Sequence, residues 1–185
     1  MSILRFTTQA TALLIVDYQD KLMPVVEDSA TILRRAARLV QAAQALELPV
    51  IATEQYPRGL GSLVNDISRL LPDDNPPVEK LLFSACVPEV VERLSELDVR
   101  CVVVAGVETH VCVMQTCLDL LERGYVTGLV VDATGSRRKI DKSIAVQRMV
   151  NSGVLPVTVE SLIFELVRDA GDQKFKAIRP IIKSQ

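Results

Sequence analysis

Residues Cys101-Val102-Val103-Val104-Ala105 form an apolar, mostly β-branched run with no polar residue alternating through it. A strand of that composition has no face suited to water, so it belongs in a sheet covered on both sides. The run ends at Gly106 and a short polar turn, Glu108-Thr109-His110. From Val111 to Arg123 there is no helix breaker, and the segment is apolar on nearly every face until Asp119. Strand, tight turn and buried helix follow one another, with Cys112 in the helix's first turn. A thiol there lies near unpaired backbone N–H groups and the positive end of the helix dipole, both of which favour thiolate. The alternative is a small buried core cysteine.

The same alternation runs along the chain. Thr11 to Val16 reads as a strand that stops at Asp17. Ser29 to Leu48 repeats apolar residues at helical spacing, with Ser29 as N-cap. Pro49 to Ala52 is a second strand, opening into a Pro- and Gly-bearing loop from Thr53 to Gly59. A short helix is predicted within Leu60–Leu71, then an irregular connection over Pro72–Pro77. Val78 to Ala85 has strand character, and Val87 to Leu97 reads as a helix with Pro88 in its first turn. After the pivotal segment come a strand at Gly128–Val131, a polar loop at Asp132–Arg138 and a helix from about Asp141 to Asn151 closed by Gly153. A strand at Leu155–Val159 and a C-terminal helix complete the chain. Strands alternating with helices predict an α/β fold, one domain over residues 1–185 with a parallel sheet covered on both faces.

Ligands in such sheets bind beyond the carboxyl ends of the strands, where strand order reverses. In a 3-2-1-4-5-6 order the first and fourth strands are neighbours, so Asp17 and Cys112 face one crevice. A nucleophilic cysteine needs a base. His110, the single histidine, lies two positions before Cys112 and is aimed to another face. Asp17 is the better base, with a turn or capping aspartate as the alternative; an acid beneath an apolar layer needs a neighbouring cation. Lys80 qualifies by type, but a strand over Leu81–Phe83 would leave it at the wrong end of the sheet. Arg137, Arg138, Lys139 and Lys142 form a basic cluster, either a solvated helix entrance or a guide for an anionic substrate.

Other chemistries find little support. A formal charge of −2 excludes an electrostatic footprint for nucleic acid or an anionic membrane surface. The apolar block near the start is broken by Asp17, too short for a signal peptide or a span. Gly106 stands alone, and Gly59 and Gly61 lack a following Lys-Ser/Thr, so no phosphate-cradling loop is present. Four cysteines without CxxC spacing and one histidine predict a reducing cytoplasm, no bound metal and no cofactor. Cys112 and Cys117 would point about 140° apart on a helix, a poor geometry for a disulfide. Hydrophobic residues make up 49% of the chain, enough for some of that surface to be buried between subunits, hence a homo-oligomer.

Three segments in order then resemble one family. Ala12-Leu-Leu-Ile-Val-Asp17-Tyr-Gln19, Glu79-Lys80-Leu-Leu-Phe83-Ser84-Ala85 and Gly106-Val-Glu108-Thr-His-Val-Cys112-Val-Met-Gln-Thr116 are similar to the aspartate, lysine and nucleophile motifs of the isochorismatase-like cysteine hydrolases. Thr53-Glu-Gln-Tyr-Pro-Arg-Gly-Leu-Gly61 is similar to the second loop of the isochorismatase domain-containing subgroup. The resemblance implies a three-layer, doubly wound sheet of six parallel strands with helices on both faces. It also implies a strand that ends near Lys80, so that Leu81 onward is loop. Asp17, Lys80 and Cys112 would be catalytic, and a cis peptide between Val107 and Glu108 would bring the backbone N–H groups of Glu108 and Cys112 together as an oxyanion hole. Gln19, Gln55 and Phe83 would line the substrate pocket. Nicotinamidases of the family hold a metal after the second strand, where this chain has Glu54, Gln55 and Tyr56 and no histidine. Cysteine at 112 points to a small amide-like substrate cleaved through a thioester. The alternative is a catalytically silent, oligomeric interaction protein of the same fold.

Overall fold

The protein is described here by a computed structural model covering residues 4–183. Six strands form one parallel sheet: β1 (Thr11–Val16), β2 (Val50–Gln55), β3 (Val78–Lys80), β4 (Cys101–Val107), β5 (Val126–Gly135) and β6 (Leu155–Val157), in the order β3-β2-β1-β4-β5-β6. The three-layer doubly wound architecture is the one expected from the strand and helix pattern. Side chains of the central strands alternate across the sheet even though apolar residues lie on both faces. Leu13, Ile15, Val50, Ala52, Val103 and Ala105 face a layer made by α1 (Ser29–Ala45), α7 (Val159–Val167) and α8 (Gln173–Lys183). Ala12, Leu14, Val16, Ile51, Val102 and Val104 face α4 (Pro88–Glu96), α5 (Met114–Glu122) and α6 (Lys139–Asn151). All six residues of β1 are buried, as a central strand with helices on both faces requires.

Several local expectations are corrected. Helix α1 starts at Ser29, so Ser29 is its first residue and not its cap. Asp28 occupies the cap position in a left-handed conformation (φ 59°), and its side chain makes no capping bond. The helix stops at Ala45 rather than Leu48. Residues 60–71 hold only the single turns α2 (Pro57–Leu60) and α3 (Asn65–Ser68) at their margins and centre. Strand β5 runs on through Asp132 and Thr134, because these polar groups are satisfied. Asp132 pairs with Arg35 at 2.7 Å and accepts the Val159 N–H at 2.9 Å, and the Thr134 hydroxyl donates to the Val130 carbonyl. The helix after it starts two residues early, at Lys139. Strand β6 ends at Val157, and Thr158 instead caps α7 in a reciprocal hydrogen-bond box with Ser161.

Strand β3 is three residues long, not the eight of Val78–Ala85. Its register places Lys80 opposite Gln55, at the carboxyl end of the sheet. Between the two central strands Val16 pairs with Gly106, where a Cβ would lie 2.2 Å from the Val16 carbonyl oxygen. Only glycine lets the backbones approach so closely. That contact fixes the end of β4, and with it the turn that leads to Cys112, against the end of β1.

Candidate active site

The four strand ends β3, β2, β1 and β4 each deliver one polar group to one place. Asp17 is the first residue after β1 and adopts φ 56°, which turns the chain out of the strand. Its Oδ2 lies 2.7 Å from the Lys80 Nζ, and its Oδ1 accepts the Thr53 hydroxyl at 2.7 Å. Both partners of this ion pair have fully buried side chains. The Lys80 ammonium also donates to Gln55 Oε1 at 2.8 Å, to the Phe83 carbonyl at 3.0 Å and to the Leu82 carbonyl at 3.3 Å. Three N–H donors thus meet four acceptors, so the lysine is saturated by the protein itself.

This explains why residues 81–83 are not strand. Leu81, Leu82 and Phe83 point their carbonyls inward, to the Gln55 amide and the Lys80 ammonium, and their side chains outward at 75%, 64% and 54% exposure. An apolar run ordinarily reports burial of side chains; here it is the backbone that is buried.

The nucleophile segment also departs from a plain α-helix. Thr109–Val113 form a π turn that leads into α5, so Cys112 sits in the turn before that helix. The Val107–Glu108 peptide is cis. The Cys112 side chain is buried, retaining 5% exposure, and its thiol proton is held more tightly than in an ordinary cysteine, with a pKa raised to about 12. Burial is the main cause. The Asp17 carboxylate adds to it both by charge and as a hydrogen-bond partner, Lys80 opposes it, and Glu108 adds a smaller push. The expectation that the helix start would favour thiolate is therefore corrected: desolvation beside a carboxylate outweighs the helix end. The sulfur is a neutral thiol beside the Asp17 carboxylate.

Two further contacts hold the turn. The Thr116 hydroxyl donates to the Cys112 carbonyl at 2.6 Å and accepts the Ala85 N–H at 2.8 Å, tying the Cys112 turn to the loop that cages Lys80. On the other side Glu108 accepts the Arg137 backbone N–H at 2.9 Å and its Nε at 3.0 Å. His110 Nδ1 lies 3.0 Å from the Ser136 hydroxyl, directed away from the thiol as its position implied. The basic cluster is largely engaged: Arg137 with Glu108, Lys139 with Glu27 at 3.0 Å, and Lys142 with the Thr134 carbonyl at 2.5 Å. Thr53, Thr116 and Arg137 were not singled out as site residues. Threonine at a strand end or in a helix carries no signal of its own until register shows what it faces.

The three residues expected in the pocket wall make the following contacts. Gln19 is fully buried and its side chain bonds the backbone of Gln55 and Gly61. Gln55 bridges Lys80 and the Leu81 carbonyl. Phe83 contributes its carbonyl, while its ring is half exposed. A cavity of about 340 Å³ opens beside Lys80, lined by Tyr56, Pro57, Arg58, Glu79 and Leu81; Asp17 and Cys112 do not line it. In the second loop Glu54 accepts the Leu63 N–H at 2.6 Å and is spent on structure. Among the described residues no three His, Cys, Asp or Glu side chains converge as metal ligands.

The sequence model of the isochorismatase domain matches residues 11–161. Isochorismatase domain-containing protein 1 of Salmo salar is 42% identical over 173 residues, covering 91% of this chain and 59% of that protein. Isochorismatase domain-containing protein 2 of Xenopus laevis is 40% identical over 175 residues, 94% of this chain and 84% of the other. The chain thus spans about 59% of the length of the first of these relatives. Among solved structures, the MAR1 ribonuclease from Caenorhabditis elegans superposes with a TM-score of 0.94 at 36% identity, covering 98% of this chain and 94% of that one. The ycaC gene product of Escherichia coli, called an octameric hydrolase of unknown specificity, gives 0.91 at 26% identity (98% and 91% covered). YcaC from Pseudomonas aeruginosa, solved with hexane-2,5-diol and covalent acrylamide, gives 0.89 at 26% identity (98% and 93% covered).

Proposed function

The chain belongs to the isochorismatase family, and from that premise we propose that it is a cysteine hydrolase cleaving a small amide-like C–N bond through a thioester on Cys112. The observation that carries this reading is the buried Asp17–Lys80 pair at 2.7 Å, with a neutral thiol hydrogen-bonded to the same aspartate. A thiol with a pKa near 12 does not ionise by itself at neutral pH, so its proton has to leave during attack. Asp17 takes that proton as the sulfur forms its bond to the substrate carbonyl carbon, and the C=O electron pair moves onto oxygen. The backbone N–H groups of Glu108 and Cys112 receive the oxyanion. Collapse breaks the C–N bond; the leaving nitrogen takes the proton back from Asp17. Water then adds to the thioester, Asp17 accepts its proton, and the carboxylic acid leaves as the thiol is restored. Lys80 gives no proton in this scheme. With every donor engaged it keeps Asp17 charged and in place.

The family resemblance of the three motifs supports the roles of Asp17, Lys80 and Cys112, and a relative that holds acrylamide covalently supports a small amide as ligand class. We also read the chain as a homo-oligomer. Leu81, Leu82 and Phe83 on one side of the nucleophile turn, and Ile140 and Ile144 on α6, are large apolar side chains left exposed in the single chain. A relative described as octameric supports the same reading. Four free, buried thiols support a reducing, cytoplasmic setting. Acrylamide is the direct test. Mass spectrometry should find one adduct, on Cys112, absent in Cys112→Ala, and a panel of small amides should yield ammonia or amine with the wild type alone. Equal labelling of all four cysteines would refute the reading; no labelling and no turnover would favour the silent interaction protein.

A further inference from the structure

Gln55 closes β2, and Gln19 lies three residues beyond the end of the neighbouring β1. Each lies two residues beyond the residue that builds the carboxylate site, Asp17 after β1 and Thr53 in β2, which themselves are joined by the hydroxyl–carboxylate bond. Gln55 Oε1 receives the Lys80 ammonium at 2.8 Å, and its Nε2 donates to the Leu81 carbonyl at 2.8 Å. That pair of contacts fixes which way the amide points. Rotated by half a turn, it would set an NH₂ against an ammonium and an oxygen against a carbonyl, two repulsions in place of two bonds. Gln19 seats the strand end that carries it. Gln19 Oε1 accepts the Gln55 N–H at 2.7 Å, and its Nε2 donates to the carbonyls of Gln55 at 3.0 Å and Gly61 at 2.6 Å. Both residues are more than nine-tenths buried, and their side-chain hydrogen bonds go to Lys80 and to the backbone of Gln55, Gly61 and Leu81.

We propose that Gln55, held by Gln19, is a positioning residue of the reaction: its carboxamide oxygen fixes the Lys80 ammonium against Asp17 without adding charge. The inference rests on the cysteine-hydrolase reading and deepens it. The groups that face the ammonium are one carboxylate, one carboxamide and two carbonyls, and the thiol of Cys112 adds Asp17, Lys80 and Glu108 as its charged neighbours. One cation against one anion leaves Asp17 free to take and return a proton. A carboxylate in place of Gln55 would set two anions on one ammonium, and the pair would take up a proton more readily. An apolar side chain would leave the ammonium one acceptor short and free the Leu81 carbonyl.

The test uses the full chain labelled with ¹⁵N-lysine, in wild type, Gln55→Leu and the nearly isosteric Gln55→Glu, with circular dichroism to establish folding. A buried, hydrogen-bonded NζH₃ group exchanges slowly and gives its own cross-peak, assigned by its loss in Lys80→Met. Gln55→Leu should shift or erase that peak and leave the other lysines unchanged. Acrylamide addition to Cys112 should then slow roughly tenfold to a hundredfold at all pH values in Gln55→Leu. In Gln55→Glu the acid limb of the rate profile should move to higher pH. A Lys80 signal unchanged in folded Gln55→Leu overturns the proposal. So do rate profiles of both folded variants that overlay the wild type. Absence of any adduct in the wild type overturns the hydrolase reading itself, and the lysine signal tells that result apart from failure of the Gln55 contact.

Discussion

Replacing Lys80 by Met removes the charge and keeps most of the stem volume. The variant leaves Asp17, with no exposed side-chain surface, holding only two neutral partners, the Thr53 hydroxyl and the Cys112 thiol. Breaking a buried ion pair from one side typically costs about 3–5 kcal/mol, most of it the penalty of an uncompensated charge. Gln55 Oε1 and the Phe83 carbonyl also lose a donor, each worth on the order of 1 kcal/mol or more where water does not enter. Lys80→Met should therefore unfold in urea with a loss of roughly 5–7 kcal/mol. Adding Asp17→Asn removes the orphaned charge, so the double variant should be more stable than Lys80→Met alone by about 2 kcal/mol or more. Equilibrium urea unfolding followed by circular dichroism measures all four corners of the cycle. A single variant with the wild-type midpoint, or a double variant no better than Lys80→Met, would refute the claim that these charges depend on one another.

Acrylamide addition to Cys112 should rise and level off by about neutral pH, because Asp17 takes the proton; a rate that climbs tenfold per pH unit toward the thiol's own pKa near 12 would exclude that role. Burial raises the Cys86 pKa from 9.0 to about 11. Its folded form stays neutral where the unfolded one ionises, so stability is full below pH 9 and falls above it, by about 1.4 kcal/mol per pH unit up to about 11. Cys86→Ala should lose less stability than wild type between pH 7 and pH 10, whatever its offset at pH 7, and equal losses in urea would contradict this. Leu82→Glu should lower the molar mass measured by light scattering, since an exposed leucine in an apolar triplet becomes a charge; an unchanged assembly would place the interface elsewhere.

The parallel sheet was legible because β1 after Thr11 and β4 throughout are apolar runs without alternation, which a parallel sheet covered on both faces buries. The places of Asp17 and Cys112 were legible because Asp17 ends one apolar run and Cys112 follows the polar turn that ends another. Lys80 was not, since Leu81-Leu82-Phe83 has the composition of strand and composition does not reveal where carbonyls point. The π turn at Cys112 was likewise hidden, because the same residues satisfy an α or a π hydrogen-bond pattern.

What the sequence by itself determined is the alternation of buried strands and covering helices, and with it the places of Asp17 and Cys112 at the carboxyl edge of the sheet. Only the tertiary structure decided how those residues divide the work. A thiol near a helix start became a tightly protonated one because burial beside Asp17 outweighs the helix end. Two glutamines read as pocket wall became the internal supports of a lysine. Hydrogen bonding and desolvation depend on neighbours brought from far along the chain, and local sequence carries no record of those neighbours.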